Sequence, residues 1–310
     1  MKNVTLKQLR ALSAVVQTGS VTAAAKALHV TPPAITLQMQ LLAAQVGMPI
    51  VERAPHRILA TEAGREVLAA AERVEAAIAD CAAALADLTN TKQGKVSVGI
   101  ISTAKYFAPR ALAHFARSHP GIELLLTIGN RAEILDGLEH HALDVAITGR
   151  PPREFPVEAS VIGDHPHVIV AWPDHPFVGR RALPPEALES ETFLVREQGS
   201  GTLGVMERYF REVGIAPKIG MQISSNETIK QAVMAGLGIA LISGHTVEAE
   251  LASGRLATLD VEGLPIVRQW YVVHLRDRRM MPAARLVSRF LTEEAGAYLP
   301  DLDRRPRPKK

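Results

Sequence analysis

The stretch "GSVTAAAKALHVTPPAITLQMQLL", residues 19–42, decides the fold of the N-terminal part of the chain. Ser20 is a good N-cap for a first helix, whose three consecutive alanines let a second helix approach closely. Thr31 can cap that second helix. Pro32 and Pro33 then fall in its first turn, where backbone N–H groups have no helical partner. The stretch therefore predicts two helices that cross at a short turn.

Apolar periodicity separates the inner face of the second helix from its outer face. Ile35, Met39 and Leu42 recur at spacings of four and three, which places them on the inner face. The outer face carries Pro32, Pro33, Thr36, Leu37 and Gln40. Short polar groups on such a face can hydrogen-bond base edges in a DNA major groove, and compact apolar groups can meet thymine methyls. The alternative is an ordinary helical hairpin with a solvated outer face.

The flanking segments favour a winged helix-turn-helix. An amphipathic helix over residues 6–16 precedes the pair, and "VGMPIVERAPHRILATEAG" predicts two short strands joined by a turn at Ala54–Arg57. Residues 1–65 hold seven Lys or Arg and two Asp or Glu, a net charge of +5, whereas the whole chain carries +3 and the remainder therefore −2. A basic module on a mildly acidic body suits DNA, because neutralising phosphates supplies most non-specific affinity. The predicted phosphate contacts are Lys7, Arg53 and Arg57.

Residues 4–68 resemble the N-terminal module of LysR-type transcriptional regulators almost without gaps. The resemblance rests on "GSVTAAAKALHV", on the Pro33–Thr36 start of the second helix, on "VGMPIVER" and on "TEAG". It implies that the second helix is a DNA recognition helix. The family usually has a polar residue at Pro32, a basic one near Leu37 and an acidic one near Ala43. This recognition helix contains no Lys or Arg, so phosphate contacts must come from outside it.

Composition favours a cytoplasmic protein with more than one core. A chain of 310 residues can bury several cores, and no apolar run is long enough to span a bilayer. The first apolar residues are interleaved with Lys7, Gln8 and Arg10, which is not the pattern of a signal peptide. The single cysteine, Cys81, excludes an intramolecular disulfide and a cysteine-rich zinc site. We expect no metal and no cofactor.

One long helix is predicted between Gly64 and Gly94, because no Gly or Pro lies between them. Its apolar residues alternate spacings of four and three for about three heptads, which is typical of a coiled-coil seam. The seam residues are Val67, Ala71, Val74, Ile78, Cys81, Leu85 and Leu88. We expect this helix to pair with its copy, with Cys81 packed as a small hydrophobic residue. The dimer would present two winged modules to a pseudo-palindromic site, as the resemblance also implies.

From Lys95 onward, strand and helix patterns alternate. Residues 95–148 predict βαβαβ and hence a parallel sheet, and a second alternating run begins near Val161. The chain then returns to the first sheet with the strand "RQWYVVHL" and a final helix over 283–299. The chain would thus pass twice between two lobes, which leaves a cleft between them. The LysR resemblance extends through this region and implies the two-lobed effector domain shared with periplasmic binding proteins.

The predicted fold is thus multidomain, α+β and α/β, with three parts and a tail. The parts are a winged helix-turn-helix DNA-binding domain at 1–62, a linker dimerisation helix at 63–90, a periplasmic-binding-protein-like effector-binding domain at 91–300 and a basic disordered tail at 301–310. Lobe I would comprise residues 91–161 and 268–300, and lobe II residues 162–267. The Pro-rich basic tail would add non-specific attraction to DNA.

Candidate effector-binding groups follow the predicted strands, where open α/β sheets place their sites. In the first lobe they are Ser102, Thr103, Asn130 and Thr148. In the second lobe they are Gln198, Gly199, Ser200, Gly201 and Thr202 of "REQGSGT", together with Asn226. The backbone N–H groups and hydroxyls of "GSGT" lie before a predicted helix, so they could hold an anion. Helix capping or turn formation is the alternative for each residue, but recurrence at equivalent strand ends favours a site.

Two other classes of protein fit less well. No HExxH, GxSxG, CxxC or dinucleotide GxGxxG motif occurs in the right context, which argues against an enzyme. A solute-binding transport protein would share the cleft, but the basic N-terminal module and the missing secretory signal argue against it. The histidines at 140–141 and in "DHPHVIVAWPDHP" lack metal-ligand spacing, and we interpret them as surface or loop residues.

Within the family, three segments resemble the subgroup that controls Calvin-cycle (RuBisCO) carbon-fixation operons. They are "MMPAARLVSRFLTEEAGAYLP", "REQGSGT" and "NETIKQAVMAGLGIALIS". The resemblance implies an activator that binds double-stranded DNA as a homodimer or homotetramer, with RNA polymerase as a further partner and no membrane. It also implies a small anionic effector, either a phosphorylated metabolite or a nicotinamide nucleotide such as NADPH. Control of another metabolic operon is the alternative within the family.

Overall fold

The computed structural model describes residues 3–55, 57–87 and 93–302. The chain divides into two compact units, with the boundary between Leu85 and Ala86. In the described ranges, no helix is both long enough and apolar enough to cross a membrane. The predicted disordered tail falls almost wholly outside the described residues, as does Leu88 of the predicted seam.

The N-terminal unit is a winged helix-turn-helix, as the sequence predicts. Its elements are α1 (Leu6–Thr18), α2 (Val21–Ala27), α3 (Pro32–Val46), β1 (Val51–Ala54), β2 (Arg57–Ala60) and α4 (Glu62–Asp87). The two strands pair antiparallel and form the wing. In α3, the predicted inner residues Ile35, Met39 and Leu42 are all buried in the core of the unit.

Local sequence explains where these helices begin. The Ser20 hydroxyl accepts a hydrogen bond from the Ala23 amide at the start of α2, as its N-cap position predicts. Thr31 occupies the N-cap of α3 but makes no side-chain capping bond, and two prolines fill the first two helical positions. A Cβ at Gly64 would lie 1.9 Å from the Ile50 carbonyl oxygen, so only glycine lets α4 begin this close to the wing.

The first turns of α4 belong to the core of the N-terminal unit, which corrects the prediction for Val67 and Ala71. Both side chains are buried there rather than left on a free seam, because α4 closes the unit over α1. The bidentate ion pair of Arg10 with Glu75 joins the same two helices, with an Nε–Oε1 distance of 2.5 Å and an Nη2–Oε2 distance of 3.0 Å. The part of the predicted coiled-coil seam that does not pack within the N-terminal unit therefore begins at Val74.

The C-terminal unit starts with the predicted βαβαβ arrangement. Its elements are β3 (Gly94–Ile101), a short 3₁₀ helix (Ala104–Tyr106), α5 (Ala108–Ser118), β4 (Ile122–Gly129), α6 (Arg131–Glu139) and β5 (Val145–Thr148). β4 and β5 flank β3, and both pairings are parallel, as predicted. The carboxyl ends of these strands therefore lie at one edge of the sheet.

The rest of the unit forms a second lobe and the return to the first. Its elements are β6 (Val157–Ala171), a 3₁₀ turn (Pro185–Leu188), β7 (Thr192–Arg196), α7 (Gly201–Val213), β8 (Lys218–Ile223), α8 (Asn226–Met234), β9 (Ala240–Ser243), a 3₁₀ turn (Gly244–Thr246), α9 (Glu248–Ala252), β10 (Ala257–Leu259), β11 (Ile266–Leu275), α10 (Pro282–Glu294) and a final 3₁₀ turn (Ala295–Tyr298). In this lobe β7 and β8 pair in parallel.

Two long antiparallel strands, β6 and β11, connect the lobes. They pair from Ile266 opposite His167 to Leu275 opposite Val157. At one end β11 also pairs with β5 of the first lobe, and at the other end β6 pairs with β9 and β10 of the second. Each lobe has its own apolar clusters. The cleft between the lobes therefore has these two strands as its floor.

The structure corrects the prediction that the histidines of "DHPHVIVAWPDHP" are surface or loop residues. His165, His167 and His175 are buried, with at most 4% of each residue exposed. The reason for His165 and His167 is that both lie on β6, which begins at Val157 and carries them through the middle of the unit. His175 Nε2 lies 3.3 Å from the Glu191 carboxylate. Within the ranges that the structure describes, no group of three or more His, Cys, Asp or Glu residues is arranged to hold a metal ion.

Candidate functional site

The outward face of α3 is a candidate nucleic-acid interface. The side chains placed on it by periodicity, Pro32, Pro33, Thr36, Leu37 and Gln40, are all exposed. The Thr36 hydroxyl donates to the Pro32 carbonyl oxygen at 3.1 Å, so its lone pairs can still accept a hydrogen bond. Leu37 is 52% exposed, a large value for an apolar residue in a folded unit. The face thus offers hydroxyl, amide and apolar groups, which suit base edges and thymine methyls.

Exposed basic residues lie on other elements of the same unit. Arg53 is on β1 and Arg57 on β2, at neighbouring positions of the antiparallel wing, and Lys7 is on α1. All three side chains are exposed. Because α3 itself carries no Lys or Arg, the positive charge of the unit comes from the elements around it. This distribution separates groups that can contact bases from groups that can contact phosphates.

The C-terminal unit contains a cavity of about 330 Å³ between its two lobes. We call it the arginine cavity, because six arginines and a single glutamate, Glu154, provide its charged lining. The arginines are Arg131, Arg150, Arg153, Arg196, Arg208 and Arg268. Its volume is that of a small-molecule site. The excess of positive charge indicates an anionic occupant, because like charges brought together in a partly buried space repel one another unless an anion lies among them.

The pKa of Arg268 is lowered both by burial and by the neighbouring positive charges. Burial lowers it from the ordinary value for arginine, and the positive charges of Arg208, Arg150 and Arg131 lower it further. Burial also lowers the pKa of Arg131, an effect that Glu154 opposes and Arg150 reinforces. Burial and the neighbouring arginines therefore both disfavour the charged forms of Arg131 and Arg268.

The N-terminus of α7 adds uncharged donors to the cavity. Ser200 is the N-cap residue, but its side chain makes no capping hydrogen bond, and Gly201 and Thr202 begin the helix. The N–H groups of a first helical turn have no partner within the helix, and the helix dipole favours an anion there. Arg208 lies seven residues after Gly201, two turns along the same face. One helix thus supplies both backbone N–H donors and a positively charged side chain.

Arg196 differs from the other arginines of the cavity because its donors are already in use. Its Nε and Nη2 groups donate to the two carboxylate oxygens of Glu197 at 2.7 and 2.8 Å. Nη1 donates to the Asn226 side-chain oxygen, and Nη2 also donates to the Ser102 hydroxyl at 3.2 Å. Because Ser102 belongs to the first lobe and Arg196 to the second, Arg196 joins the lobes.

Further contacts cross between the lobes. The Ala132 amide donates to the Gly199 carbonyl oxygen at 3.2 Å. The Tyr106 hydroxyl donates to the Glu227 carboxylate, and Lys105 Nζ lies 3.8 Å from the same carboxylate. Burial, followed by this carboxylate, raises the pKa of Tyr106, so the hydroxyl remains a donor. The lobes are therefore in contact both at the lining of the arginine cavity and outside it.

The structure brings six of the ten predicted effector-binding residues onto the cavity. These are Ser102, Thr103, Gly199, Ser200, Gly201 and Thr202. The other four do not line it and have structural contacts or exposed positions. Asn130 exchanges capping hydrogen bonds with Glu133, and the Thr148 hydroxyl donates to the Arg150 carbonyl oxygen. Asn226 holds Arg196, and Gln198 is exposed.

None of the six arginines of the cavity was predicted from the sequence, although the positions of four of them carry a signal. Arg131 and Arg150 each follow the end of a predicted strand by two residues, at the sheet edge already chosen for Ser102 and Thr103. Arg196 is the last residue of its strand, and Arg208 shares a face with the start of its helix. Arg153, five residues after the end of β5, and Arg268, the third residue of β11, have no comparable mark in the sequence.

Two family descriptions match most of the chain. The LysR substrate binding domain matches residues 89–296. The bacterial regulatory helix-turn-helix protein, lysR family, matches residues 6–65. The first match contains every residue of the arginine cavity, and the second contains the whole outward face of α3.

Similar proteins extend over nearly the full length. The HTH-type transcriptional regulator CbbR of Xanthobacter flavus is 50% identical over 300 residues, which cover 96% of this chain and 90% of that protein. The RuBisCO operon transcriptional regulator of Allochromatium vinosum is 42% identical over 293 residues, which cover 94% and 97%. Among solved structures, the regulatory domain of Synechocystis PCC6803 CcmR in complex with 2-PG is 35% identical with a TM-score of 0.63, over 64% of this chain and 96% of that one.

Proposed function

Because the chain belongs to the LysR family of bacterial regulatory helix-turn-helix proteins, we propose that it regulates carbon-fixation genes in response to a small anion in the arginine cavity. The family consists of DNA-binding transcriptional regulators rather than enzymes, which agrees with the lack of catalytic motifs in the sequence. The carbon-fixation assignment is supported by relatives named as RuBisCO operon and CbbR regulators.

The single observation that carries the anionic ligand is the charge of the arginine cavity. Six arginines and one glutamate border a space between two lobes, next to the uncapped N-terminus of α7. Arg196 is held by Glu197, so the remaining arginines are the groups available to an anion. A ligand with two or more negative charges suits several separate cations better than a monoanion does. Phosphorylated metabolites, dicarboxylates and nicotinamide nucleotides such as NADPH are the candidate classes.

DNA binding in this proposal divides between two groups of residues. The outward side chains of α3 contact bases, and Thr36 and Gln40 are the polar residues among them. Phosphates are contacted by Lys7, Arg53 and Arg57. The protein binds an interrupted palindrome, because a two-fold dimer presents two recognition helices. Acting on chromosomal DNA, the protein works in the cytoplasm, and activation involves RNA polymerase as a further partner.

Self-association rests on exposed apolar side chains of α4. Val74 and Ile78 are 41% and 43% exposed, one turn apart, beyond the turns that pack within the N-terminal unit. Cys81 continues the line and is also exposed. The side chain of Leu85 and the whole of Leu88 lie outside the described residues. We propose that two copies of α4 cover this line in a dimer, and that two dimers form a homotetramer.

Calorimetry on the full chain tests the ligand proposal. The panel contains inorganic phosphate, 2-PG, a sugar bisphosphate, a dicarboxylate and NADPH. The variants are Arg208→Gln and Arg211→Gln, which remove one positive charge each from the same helix. Arg208 borders the cavity, whereas Arg211 is exposed in the last turn of α7 and does not.

At least one multiply charged compound should bind the wild type and the Arg211 variant alike. Loss of a hydrogen bond between charged groups, about 1.5–3 kcal/mol, should weaken its binding to the Arg208 variant by about tenfold or more. Binding of no compound, or equal binding by both variants, would overturn the proposed cavity site. Whether the protein controls carbon-fixation genes is tested separately, by its binding to carbon-fixation promoters from its own genome.

A further inference from the structure

Two buried polar atoms beside the arginine cavity have no hydrogen-bond partner among the residues that the structure describes. They are the Thr103 hydroxyl oxygen and Nδ1 of His165, on residues that line the cavity and are each 3% exposed. Buried polar groups in folded proteins are nearly always paired, and leaving one unpaired destabilises the folded state. Neither atom has a role in the anion site described above, which rests on arginines and helix amides. An occupant of the cavity is the natural source of the missing partner.

The His165 ring is fixed, so its free nitrogen cannot turn to another partner. Nε2 lies 2.9 Å from the Ser243 hydroxyl oxygen, and the ring stacks on Trp270 at 3.7 Å between centroids. The His167 ring packs against it at 4.3 Å. These contacts hold His165 on the floor of the cleft, on β6, with Arg268 of β11 directly opposite in register.

A glycine keeps the space over this nitrogen free of side chain. A Cβ at position 149 would lie 3.0 Å from His165 Nδ1, and Gly149 itself lines the cavity. Because position 149 has no side chain, a ligand atom in the cavity can approach Nδ1 from the side of Gly149. Any other residue at this position would place a carbon there instead.

The surroundings of His165 keep its imidazole neutral. Burial lowers the pKa of His165 well below its ordinary value, and the nearby His167, His245 and Arg268 lower it further. A neutral imidazole has one N–H group and one lone pair, so it can form a hydrogen bond with a hydroxyl group in either tautomer but supplies no positive charge. Its chemistry therefore differs from that of the arginines in the same cavity.

We propose that His165 recognises a hydroxyl group of the anionic ligand, and so selects hydroxylated compounds among anions of equal charge. The inference rests on the proposed function, because it requires a ligand in the arginine cavity. The arginines bind the charged groups, and the hydroxyl pairs with Nδ1. A hydroxyl can donate or accept, so it fits either tautomer of the imidazole.

Matched pairs of probes separate recognition of the hydroxyl from recognition of charge. One pair is 3-phosphoglycerate and 3-phosphooxypropionate, which carry the same two anionic groups with and without a hydroxyl. The other is glycerol 3-phosphate and propyl phosphate. Calorimetry on the full-length wild type should show the hydroxylated member binding about tenfold tighter in at least one pair, because an unpaired buried group is then satisfied.

Three variants test which residue is responsible for that preference. His165→Phe keeps a ring for Trp270 to stack on but removes both nitrogens, and should reduce the preference to nearly one. His165→Asn places an amide near the position of Nδ1 and should restore part of it. Gly149→Ala retains His165 but covers Nδ1 with a methyl group, so it should also abolish the preference for the hydroxylated probe. This variant tests the role of His165 even if the phenylalanine variant does not fold.

The outcomes distinguish this inference from the proposed function. Arg208→Gln should weaken both members of a pair by the same factor and leave their ratio unchanged. If the probes bind in an Arg208-dependent way but neither pair shows a preference, or if Gly149→Ala and His165→Phe both retain it, His165 does not recognise the hydroxyl. If no probe binds at all, the cavity site and this inference both fail.

Discussion

Replacing Arg268 with glutamine should weaken anion binding and yet leave the ligand-free protein at least as stable as the wild type. Most substitutions of partly buried residues in a binding site lower both ligand affinity and stability. A loss of affinity without a loss of stability is therefore a specific consequence of the arginine cavity. Arg268 is half-buried on β11; burial lowers its pKa most, and the positive charges of three other arginines lower it further. Glutamine retains hydrogen-bonding capacity but removes the charge that these neighbours repel.

The structure gives an approximate size for each effect. Pairs of partly solvated charges contribute about 0.2–1 kcal/mol each, so relief of repulsion from three neighbours should raise the free energy of unfolding by roughly 1 kcal/mol. Loss of packing by the shorter side chain reduces this gain. In the liganded protein, loss of one charged hydrogen bond costs about 1.5–3 kcal/mol, equivalent to roughly tenfold to 150-fold weaker binding.

Thermal unfolding followed by tryptophan fluorescence measures both effects. The two tryptophans, Trp172 and Trp270, are both in the C-terminal unit, so their signal reports the unit that contains the cavity. Phosphate should raise the midpoint of the wild type, because a ligand stabilises the state that binds it by RT ln(1 + [L]/Kd). The Arg268→Gln midpoint should start at or above that of the wild type and rise less with phosphate.

Two results would refute this reasoning. A variant clearly less stable than the wild type without ligand would show that Arg268 is held by favourable contacts rather than strained by repulsion. Equal increases of the midpoint with phosphate in both proteins would show that Arg268 does not contact the anion. Arg211→Gln provides the matched control, since it removes an arginine that does not line the cavity and should change neither quantity.

Three further predictions concern the seam, the recognition helix and the buried histidines. Ile78→Glu should dissociate the dimer, because it places a charge opposite its symmetry mate, and sedimentation would show an unchanged mass if another surface holds the copies together. Thr36→Ala should lower discrimination between DNA sequences by about 1–3 kcal/mol, whereas Arg53→Ala should weaken all sequences alike, as binding titrations on matched and scrambled sites can show. Burial lowers the pKa of His167 and His245 to about 4. The free energy of unfolding of the C-terminal unit should therefore be highest above pH 6.5 and fall as the pH drops toward 4, by about 3 kcal/mol for His167. A denaturation midpoint that stays constant from pH 7 to 4.5 would contradict this.

The parts of the fold that the sequence predicted are those in which burial follows a simple period. The inner face of α3 at Ile35, Met39 and Leu42 was correct because one face of that helix packs and the other does not. The βαβαβ segment was correct because its strands are nearly continuous apolar runs. The wing followed from two short apolar segments separated by a turn.

Other features depend on contacts between distant segments, which periodicity does not encode. The first half of β6 was missed because residues 157–164 are exposed or half-buried, so no buried apolar face marks the strand. The first buried residue of the strand is polar: His165 packs against Trp270 and Ser243 of other strands. Val67 fits the heptad pattern, but its position is set by packing within the N-terminal unit. The arginines of the cavity come from six places in the chain, and only the folding of the two lobes brings them to one space.

Footprinting of the full chain on its carbon-fixation promoter, with and without the compound that binds the arginine cavity, tests the central claim most directly. We expect protection of an interrupted palindrome, with a pattern that the compound changes for the wild type and Arg211→Gln but not for Arg208→Gln. The coupling free energy between such sites is typically about 1–3 kcal/mol, enough to alter occupancy or bending without abolishing binding. Absence of specific protection, or a pattern that the compound changes equally in both variants, would contradict a regulator controlled through this cavity.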